Sequence, residues 1–168
     1  MKLKVSKLNV NSTVINQLEN WAYFDGSEEL NRFVLANGEL NFHTIIERHL
    51  TNVNFHSYAL LYSFCDKPLG LALVSTFVNP RDKNHVCCID YICVDPTVKH
   101  KNIGSQMIED ITSNNNPIIK DHRITLFMAN ISPDNIASRK LFEKTGFKID
   151  HERDVLLAYK NISKTFGE

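Results

Sequence analysis

The segment from Asp95 to Ser105 combines residues that could bind a phosphate group. It follows an apolar run that ends at Val94 and precedes apolar residues at helical spacing, so it lies between a predicted strand and a predicted helix. The first amides of a helix have no partner within the helix and carry the positive end of its dipole, which favours an anion. Three basic side chains stand just before this helix: Lys99, His100 and Lys101.

Two further residues of this loop favour close contact with a ligand. Asn102 is the non-glycine type that best tolerates a left-handed backbone, and Gly104 lets a ligand approach the main chain. The six glycines are too far apart for G-x-G-x-x-G or G-x-x-x-x-G-K-[ST], and G-x-S-x-G is missing. Dinucleotide dehydrogenases, P-loop nucleotide hydrolases and the usual serine hydrolases are therefore disfavoured. A solvated basic turn is the plain alternative for the loop.

A second segment, NISPDNIASRKLFEKTGF from Asn130 to Phe147, carries a more specific pattern. Ser132, Pro133 and Asp134 predict the start of a helix, and Gly146 predicts its end. The segment resembles motif B of the GNAT N-acetyltransferase superfamily, N-x-x-[SA]-x-x-L-Y-E-K-x-G-F, at nearly every position. The earlier Lys99-x-x-Asn102-x-Gly104 resembles its motif A, [RQ]-x-x-G-x-[GA], with two of the three defining positions changed. Lysine keeps the charge of the usual arginine but loses its fork of donors.

The resemblance implies a single N-acetyltransferase domain over residues 1–168, with a helical substrate-side region (1–52) and an acetyl-CoA-binding core (58–147). It implies acetyl-CoA as co-substrate and no metal. In this family two central strands splay apart, and the pantetheine arm binds the exposed backbone of the earlier strand. The cofactor-binding residues implied are Ile92, Cys93 and Val94 for pantetheine, Lys99, His100, Lys101, Asn102, Ile103, Gly104 and Ser105 for the pyrophosphate, and Asn135, Ser138 and Phe142 beside the pantetheine and the thioester. Capping of a helix start is the alternative for Asn135.

Two residues are candidates for the chemistry of acetyl transfer. Asp90 is the only charge in the apolar run CIDYI, on the strand beside the cofactor, where some family members have an acid. It could accept a proton from an amine, directly or through water, or it could orient the substrate or serve structure. The Val94 amide could polarise the thioester carbonyl. Many family members have a tyrosine that acts as the general acid where this chain has Phe142. The departing CoA thiolate must then take its proton from Tyr91, from Tyr159 or from water.

The elements that must position these residues predict an α+β fold: a mixed, mostly antiparallel sheet of six to seven strands, with helices on both faces. The predicted order begins with a strand at 2–8 and two or three short helices from Ser12 to Leu50. A hairpin of Tyr58–Phe64 and Leu69–Phe77 around a turn at 66–68 follows, and then a strand at Val86–Val94. The rest is a helix buried through Ile103, Met107, Ile108 and Ile111, a strand at Ile124–Met128, a helix burying Ile136, Ala137, Leu141 and Phe142, and two last strands at 147–149 and 155–159.

Composition limits the function classes further. The chain has 168 residues with 19 basic and 19 acidic side chains, and this neutrality argues against nucleic acid as main partner. No secretory signal and no membrane span is apparent, so a cytoplasmic protein without membrane partners is expected. The four cysteines have no metal-binding spacing, and we interpret them as reduced and structural. A strand at 155–159 with an exposed edge could pair in a homodimer.

The expected acceptor is an amine of a small molecule or peptide. The helical region holds acids beside aromatic side chains, which suits a cation, although a solvated helix face also explains them. These residues are Trp21, Tyr23, Phe24, Asp25, Glu28, Glu29 and His43. Two rival hypotheses are a non-catalytic acyl-CoA-binding or regulatory module, and a binder of nucleotide phosphates without preference for CoA.

Overall fold

A seven-stranded sheet lies at the centre of the computed structural model, which describes residues 2–9, 11–18, 42–98, 102–113, 116–117, 119–152 and 154–162. Within these residues the strands are β1 (Lys4–Leu8), β2 (His56–Phe64), β3 (Lys67–Val78), β4 (His85–Val94), β5 (Leu126–Ile131), β6 (Lys148–Glu152) and β7 (Val155–Asn161). The helices are α1 (Val14–Leu18), α2 (Phe42–Leu50), α3 (Ile103–Thr112) and α4 (Ile136–Lys144), with short 3₁₀ turns at Pro96–Val98 and Lys120–His122. The predicted α+β class is confirmed.

The strands are arranged in the order β1-β2-β3-β4-β5-β7-β6. Every neighbouring pair is antiparallel except β4 and β5, which are parallel. The hairpin between β2 and β3 turns at Cys65 and Asp66, whose φ angles are 49° and 59°. Two positive φ angles in a two-residue loop match the right-handed twist of the flanking strands. The turn therefore lies slightly before the predicted 66–68, and Lys67 already belongs to β3.

The parallel pairing between β4 and β5 is short. It covers only Val86 with Leu126, Cys87 with Phe127, and Cys88 with Met128. Beyond these pairs β5 continues to pair with β7, and β4 continues to pair with β3. The second half of β4 therefore has one edge that β5 does not cover, as the resemblance implied.

Apolar side chains form a core on each face of the sheet. On one face α3 and α4 pack against the strands through Met107, Ile108, Ile111 and Phe142. On the other face α1 and α2 pack through Ile15, Leu18 and Ile46. Ile103, Met107, Ile108 and Ile111 are all buried, as their spacing predicted. Between α1 and α2, residues 19–41 lie outside the described part of the chain.

Two predictions near the C-terminus are wrong. The helix α4 is capped by Asn135 and starts at Ile136, because the Asn135 side chain accepts from the Ser138 amide at 3.0 Å. Ile136 and Ala137, both expected inside, are exposed in the first turn, Ile136 to 60%. The strand expected to offer an exposed edge, β7, lies between β5 and β6, so its hydrogen-bonding edges are occupied within the sheet.

A buried polar contact joins α3 to the sheet. The Tyr62 hydroxyl, on a side chain that is 1% exposed, donates to Asp110 Oδ2 at 2.9 Å, and Asn116 Nδ2 donates to the same oxygen at 2.6 Å. Burial first, and then the charge of Asp110, raises the pKa of the Tyr62 hydroxyl, which therefore stays protonated as a donor.

We expect Tyr62→Phe to lower the free energy of unfolding by about 1.5–3 kcal/mol, because a bond from a buried hydroxyl to a charged group is lost. Urea denaturation measures this loss. In an Asp110→Ala background the same Tyr62→Phe change should cost much less. An equal cost in both backgrounds would contradict the contact.

Candidate functional site

A cleft of about 490 Å³ opens at the end of β4, between the start of α3 and the side of α4. This volume lies within the range typical of small-molecule sites. Eight of the residues predicted from the sequence line it together: Ile92, Cys93, Val94, Asn102, Ile103, Gly104, Ser105 and Ser138. The remaining lining residues are Val98, Ala137, Lys140, Leu141 and Lys144.

The open edge of β4 offers main-chain groups to this cleft. The Asp95 amide donates to the Leu69 carbonyl at 2.9 Å, which directs it towards β3. Main-chain direction alternates along a strand, so the peptide groups of Cys93 also point to β3. Those of Ile92 and Val94 point to the opposite edge, which β5 leaves uncovered after Cys88. Of the three predicted strand residues, Ile92 and Val94 can therefore bind a ligand through the main chain.

The start of α3 supplies amide donors at the other end of the cleft. The first bond within the helix runs from the Gln106 amide to the Asn102 carbonyl at 3.0 Å. The amides of Ile103, Gly104 and Ser105 precede this bond, and no side chain of Asn102 caps them. Three amides at the positive end of a ten-residue helix form an anion-binding arrangement.

Asn102 adopts the left-handed conformation that its residue type predicted. Its φ is 58° and its ψ is 20°. Its side-chain oxygen also accepts a hydrogen bond from Lys144 Nζ at 2.8 Å. This bond holds an ammonium group of α4 beside the first turn of α3. Lys144 is a site residue that sequence reasoning missed, because nothing in the motif indicated that it would face the loop.

Gly104 lies where α3 approaches α4 closely. A Cβ atom at this position would come within 3.1 Å of Leu141 Cδ2 and 3.8 Å of Val94 Cγ2. Glycine therefore serves the packing of two helices as well as the access of a ligand. A larger side chain would displace Leu141 or fill the cleft.

Asp95 fixes the chain as it leaves β4. It is 5% exposed, and its Oδ1 accepts from the Thr97 amide at 2.8 Å and from the Thr97 hydroxyl at 2.7 Å. Lys67 Nζ lies 3.7 Å from its other oxygen. These contacts turn the loop towards α3. The sequence signal for this role, an Asp before Pro-Thr, was present but was not singled out.

Asp90 is the extra residue of a β-bulge. The pairing of β3 with β4 passes from Leu73 with Tyr91 to Val74 with Ile89, which leaves Asp90 without an opposite residue. A bulge re-aims a side chain, and here the carboxylate is 36% exposed on the face covered by α1 and α2. The Ser75 hydroxyl donates to its Oδ2 at 2.7 Å.

Two more groups on this face contact Asp90. His49 Nδ1 lies 3.9 Å from Asp90 Oδ2, and the Cys88 thiol is hydrogen-bonded to the carboxylate. Burial, and then the charge of Asp90, raises the pKa of Cys88, so the sulfur stays a neutral thiol rather than a thiolate nucleophile. The same two causes raise the pKa of Cys87. His49 and Ser75 were missed because each lies far from Asp90 in sequence.

Two predicted ligand-binding residues lie elsewhere. Phe142 is 2% exposed and packs edge-on against Phe147 at 5.0 Å in the core, so it does not line the cleft. Asn135 uses its oxygen to cap α4 and is also absent from the cleft lining. Of the remaining predicted residues, Lys99, His100 and Lys101 lie outside the described residues. In the helical region His43 lies on α2, and the other six candidates fall within 19–41.

Comparison with protein families decides the identity of the fold. The profile described as the Acetyltransferase (GNAT) family matches residues 13–147. The chain belongs to this family. The match covers α1 to α4 and the four strands β2 to β5, and it therefore includes the cleft, the bulge at Asp90 and the Asn102 loop. Comparison with curated proteins gives no significant match.

Solved structures of low sequence identity share the fold. The PaiA N-acetyltransferase from Thermoplasma acidophilum in complex with coenzyme A is 14% identical, with a TM-score of 0.70 over 96% of this chain and 100% of that chain. A GNAT family acetyltransferase from Elizabethkingia anophelis with acetyl-CoA bound is 14% identical, with a TM-score of 0.62 over 95% and 98%. The N-acetyltransferase PseH from Campylobacter jejuni is 17% identical, with a TM-score of 0.61 over 96% and 99%.

In the described part of the chain, no helix is long and apolar enough to span a bilayer. The same residues include no group of three or more His, Cys, Asp or Glu side chains arranged to hold a metal ion.

The backbone of Asn102 gives a direct test of the loop. Both Asn102→Ala and Asn102→Gly remove the bond to Lys144, but only alanine is strained at positive φ. We expect the alanine variant to unfold with a free energy about 1–2 kcal/mol lower than that of the glycine variant, measured by chemical denaturation. Equal stabilities would contradict the left-handed conformation.

Proposed function

We propose that this chain transfers an acetyl group from acetyl-CoA to an amine, by direct attack of the amine on the thioester. The observation that carries the proposal is the cleft at the open edge of β4. There the outward main-chain groups of Ile92 and Val94 and the free amides of a helix start face one space. Such a space suits a ligand with an amide-rich arm at one end and phosphates at the other.

The pyrophosphate is assigned to the first turn of α3. The amides of Ile103, Gly104 and Ser105 supply directed donors, and Lys140 and Lys144 of α4 line the same cleft. The sequence adds Lys99, His100 and Lys101 just before this turn. Amides and ammonium groups then take the place of the arginine fork that the loop lacks.

The pantetheine arm is assigned to the uncovered edge of β4. Its amides would pair with Ile92 and Val94 in the manner of an added strand, while Ser138 lines the opposite wall. At about 3.3 Å per residue, Val94 lies about 13 Å and Ile92 about 7 Å from Asp90 along the strand. A thioester whose carbonyl is polarised by the Ile92 amide would therefore lie closer to a base at Asp90 than a thioester polarised by the Val94 amide.

Asp90 is the proposed general base. Its carboxylate is partly exposed, accepts a hydrogen bond from Ser75 and lies at the bulge of β4, without a paired residue opposite it on β3. An exposed carboxylate also attracts an ammonium group, which supports an amine as the acceptor. Phe142 has no proton to give and lies in the core, so water protonates the departing CoA thiolate.

The cysteines bear on the cellular location, and the sheet edges bear on assembly. The four cysteines are all free, which fits a reducing compartment, and we propose the cytoplasm. A homodimer joined by a strand would have to use β1 or β6, the two edges of the described sheet, because β7 lies inside it.

Gly104→Val tests the cofactor site. The added methyl groups meet Leu141 and enter the cleft, so we expect acetyl-CoA affinity to fall by at least 100-fold, measured by isothermal titration calorimetry. Thr112→Val, at the other end of α3, is a matched control that should bind normally. A folded Gly104→Val protein with unchanged affinity would show that the cofactor binds elsewhere.

Release of free CoA thiol from acetyl-CoA across a panel of amines tests the reaction itself. We expect turnover with at least one amine, and we expect Asp90→Asn to reduce kcat about 100-fold or more with little change in acetyl-CoA affinity, because the proton acceptor is lost.

Tight acetyl-CoA binding without turnover on any amine would instead favour a non-catalytic acyl-CoA-binding module, the alternative that the missing general acid at Phe142 supports. Thermal stabilisation by ATP or NAD equal to that by acetyl-CoA would favour a general nucleotide binder.

A further inference from the structure

His49 is a partly buried histidine whose two ring nitrogens have different partners. It lies near the end of α2, and its side chain is 12% exposed. Its Nε2 lies 3.0 Å from the Val74 carbonyl oxygen, and its Nδ1 lies 3.9 Å from Asp90 Oδ2. The ring therefore stands between the main chain of β3 and the carboxylate on the bulge of β4.

The Val74 carbonyl determines which nitrogen carries the proton. A carbonyl oxygen can only accept, so Nε2 must be the donor in this contact. In a neutral imidazole the other nitrogen then presents a lone pair, and here that nitrogen is Nδ1, which faces Asp90. At 3.9 Å these two atoms are at ion-pair distance, and a shift of about 1 Å would bring them to hydrogen-bond distance, where a proton can pass between them.

Several titratable groups surround this pair among the described residues. On β4 these are Cys88, which stays a neutral thiol, Tyr91 and Cys93, while Ser75 of β3 is not titratable. β2 presents Ser57 opposite Ser75, and α1, with the sequence VINQL, has no titratable side chain. On α2 itself the remaining titratable residues are His43, Glu47 and Arg48.

We propose that His49 is a positioning residue for Asp90 that also takes up, through Asp90, the proton released by the acceptor amine. The inference rests on the proposed acetyl transfer. Histidine side chains change charge near neutral pH, whereas carboxylates ordinarily do so at much lower pH. A carboxylate backed by an imidazole can therefore keep an amine proton near neutrality, which an isolated carboxylate does poorly.

The proton and electron pairs balance in this step. The amine nitrogen forms a bond to the thioester carbon, and its N–H proton moves to Asp90. Once the two side chains close the 3.9 Å between Asp90 Oδ2 and His49 Nδ1, the proton moves from Asp90 to Nδ1, which leaves an imidazolium beside a carboxylate. The carbon–sulfur bond breaks with its electron pair on sulfur, and the thiolate takes a proton from water. Loss of the His49 proton to solvent restores the resting pair.

Kinetics of His49→Gln test the role. Glutamine can still donate to the Val74 carbonyl, but it has no nitrogen that accepts a proton. We expect kcat to fall about 100-fold with the KM for acetyl-CoA unchanged, and the dependence of kcat on pH between about 5 and 8 to disappear. His151→Gln, an exposed change on β6, should leave both unchanged. A kcat within twofold of the wild type, or a rise in KM alone, would overturn the proposal.

Nitrogen-15 NMR of the histidine rings tests the contact without any turnover. We expect His49 to be protonated at Nε2 in its neutral form, and Asp90→Asn to change the chemical shift of its Nδ1. A neutral form protonated at Nδ1, or a His49 signal indifferent to Asp90→Asn, would overturn the proposal. If the wild type transfers no acetyl group to any amine but this NMR result is as expected, the proposed function fails while the coupling of the two side chains stands.

Discussion

The early end of the pairing between β4 and β5 is the constraint on which the site depends. Parallel strands normally exchange bonds along their whole length, but here the pairing stops at Cys88 and Met128. Antiparallel partners on the outer sides, β3 and β7, keep each strand stable, so the gap between the two does not disrupt the sheet. Within the described residues the exposed edge of β4 then has no partner strand after Cys88, and the loop after β4 leads into the start of α3.

The β-bulge at Asp90 is a second feature of β4 that shapes the site. One extra residue in β4 puts the consecutive residues Asp90 and Tyr91 on the α2 face, where the carboxylate lies beside Ser75 and His49. Without the bulge, strict alternation would aim Tyr91 at the opposite face of the sheet, where α3 and α4 pack an apolar core. The register of the long antiparallel ladder between β3 and β4 therefore decides which side chains accompany Asp90 on this face.

Local patterns predicted the elements and half of the site, whereas contacts between distant residues did not follow from sequence. The apolar stripe from Ile103 to Ile111 and the left-handed Asn102 depend on neighbouring residues, so the sequence contained them. The predicted start of α4 at Ser132 was wrong because Ser132 and Asn135 are both good N-cap residues, and only tertiary packing selects one of them. The order of β7 and β6 depends on which strands pair, and the contact of His49 with Asp90 joins residues 41 positions apart.

The departures of the loop from the family pattern are linked through one hydrogen bond. Asparagine in place of glycine at position 102 costs conformational energy at positive φ, but only a side chain can accept the bond from Lys144. That bond brings an ammonium group to the first turn of α3, in a loop that has lysine where the family has arginine. Because Lys144 belongs to α4, the charge that faces the cleft comes from the helix that also packs against Gly104. The charge of Lys144 beside the cleft and the packing of α3 against α4 are therefore coupled. A change that moves α4 away from α3 would both remove the ammonium group and open the cleft.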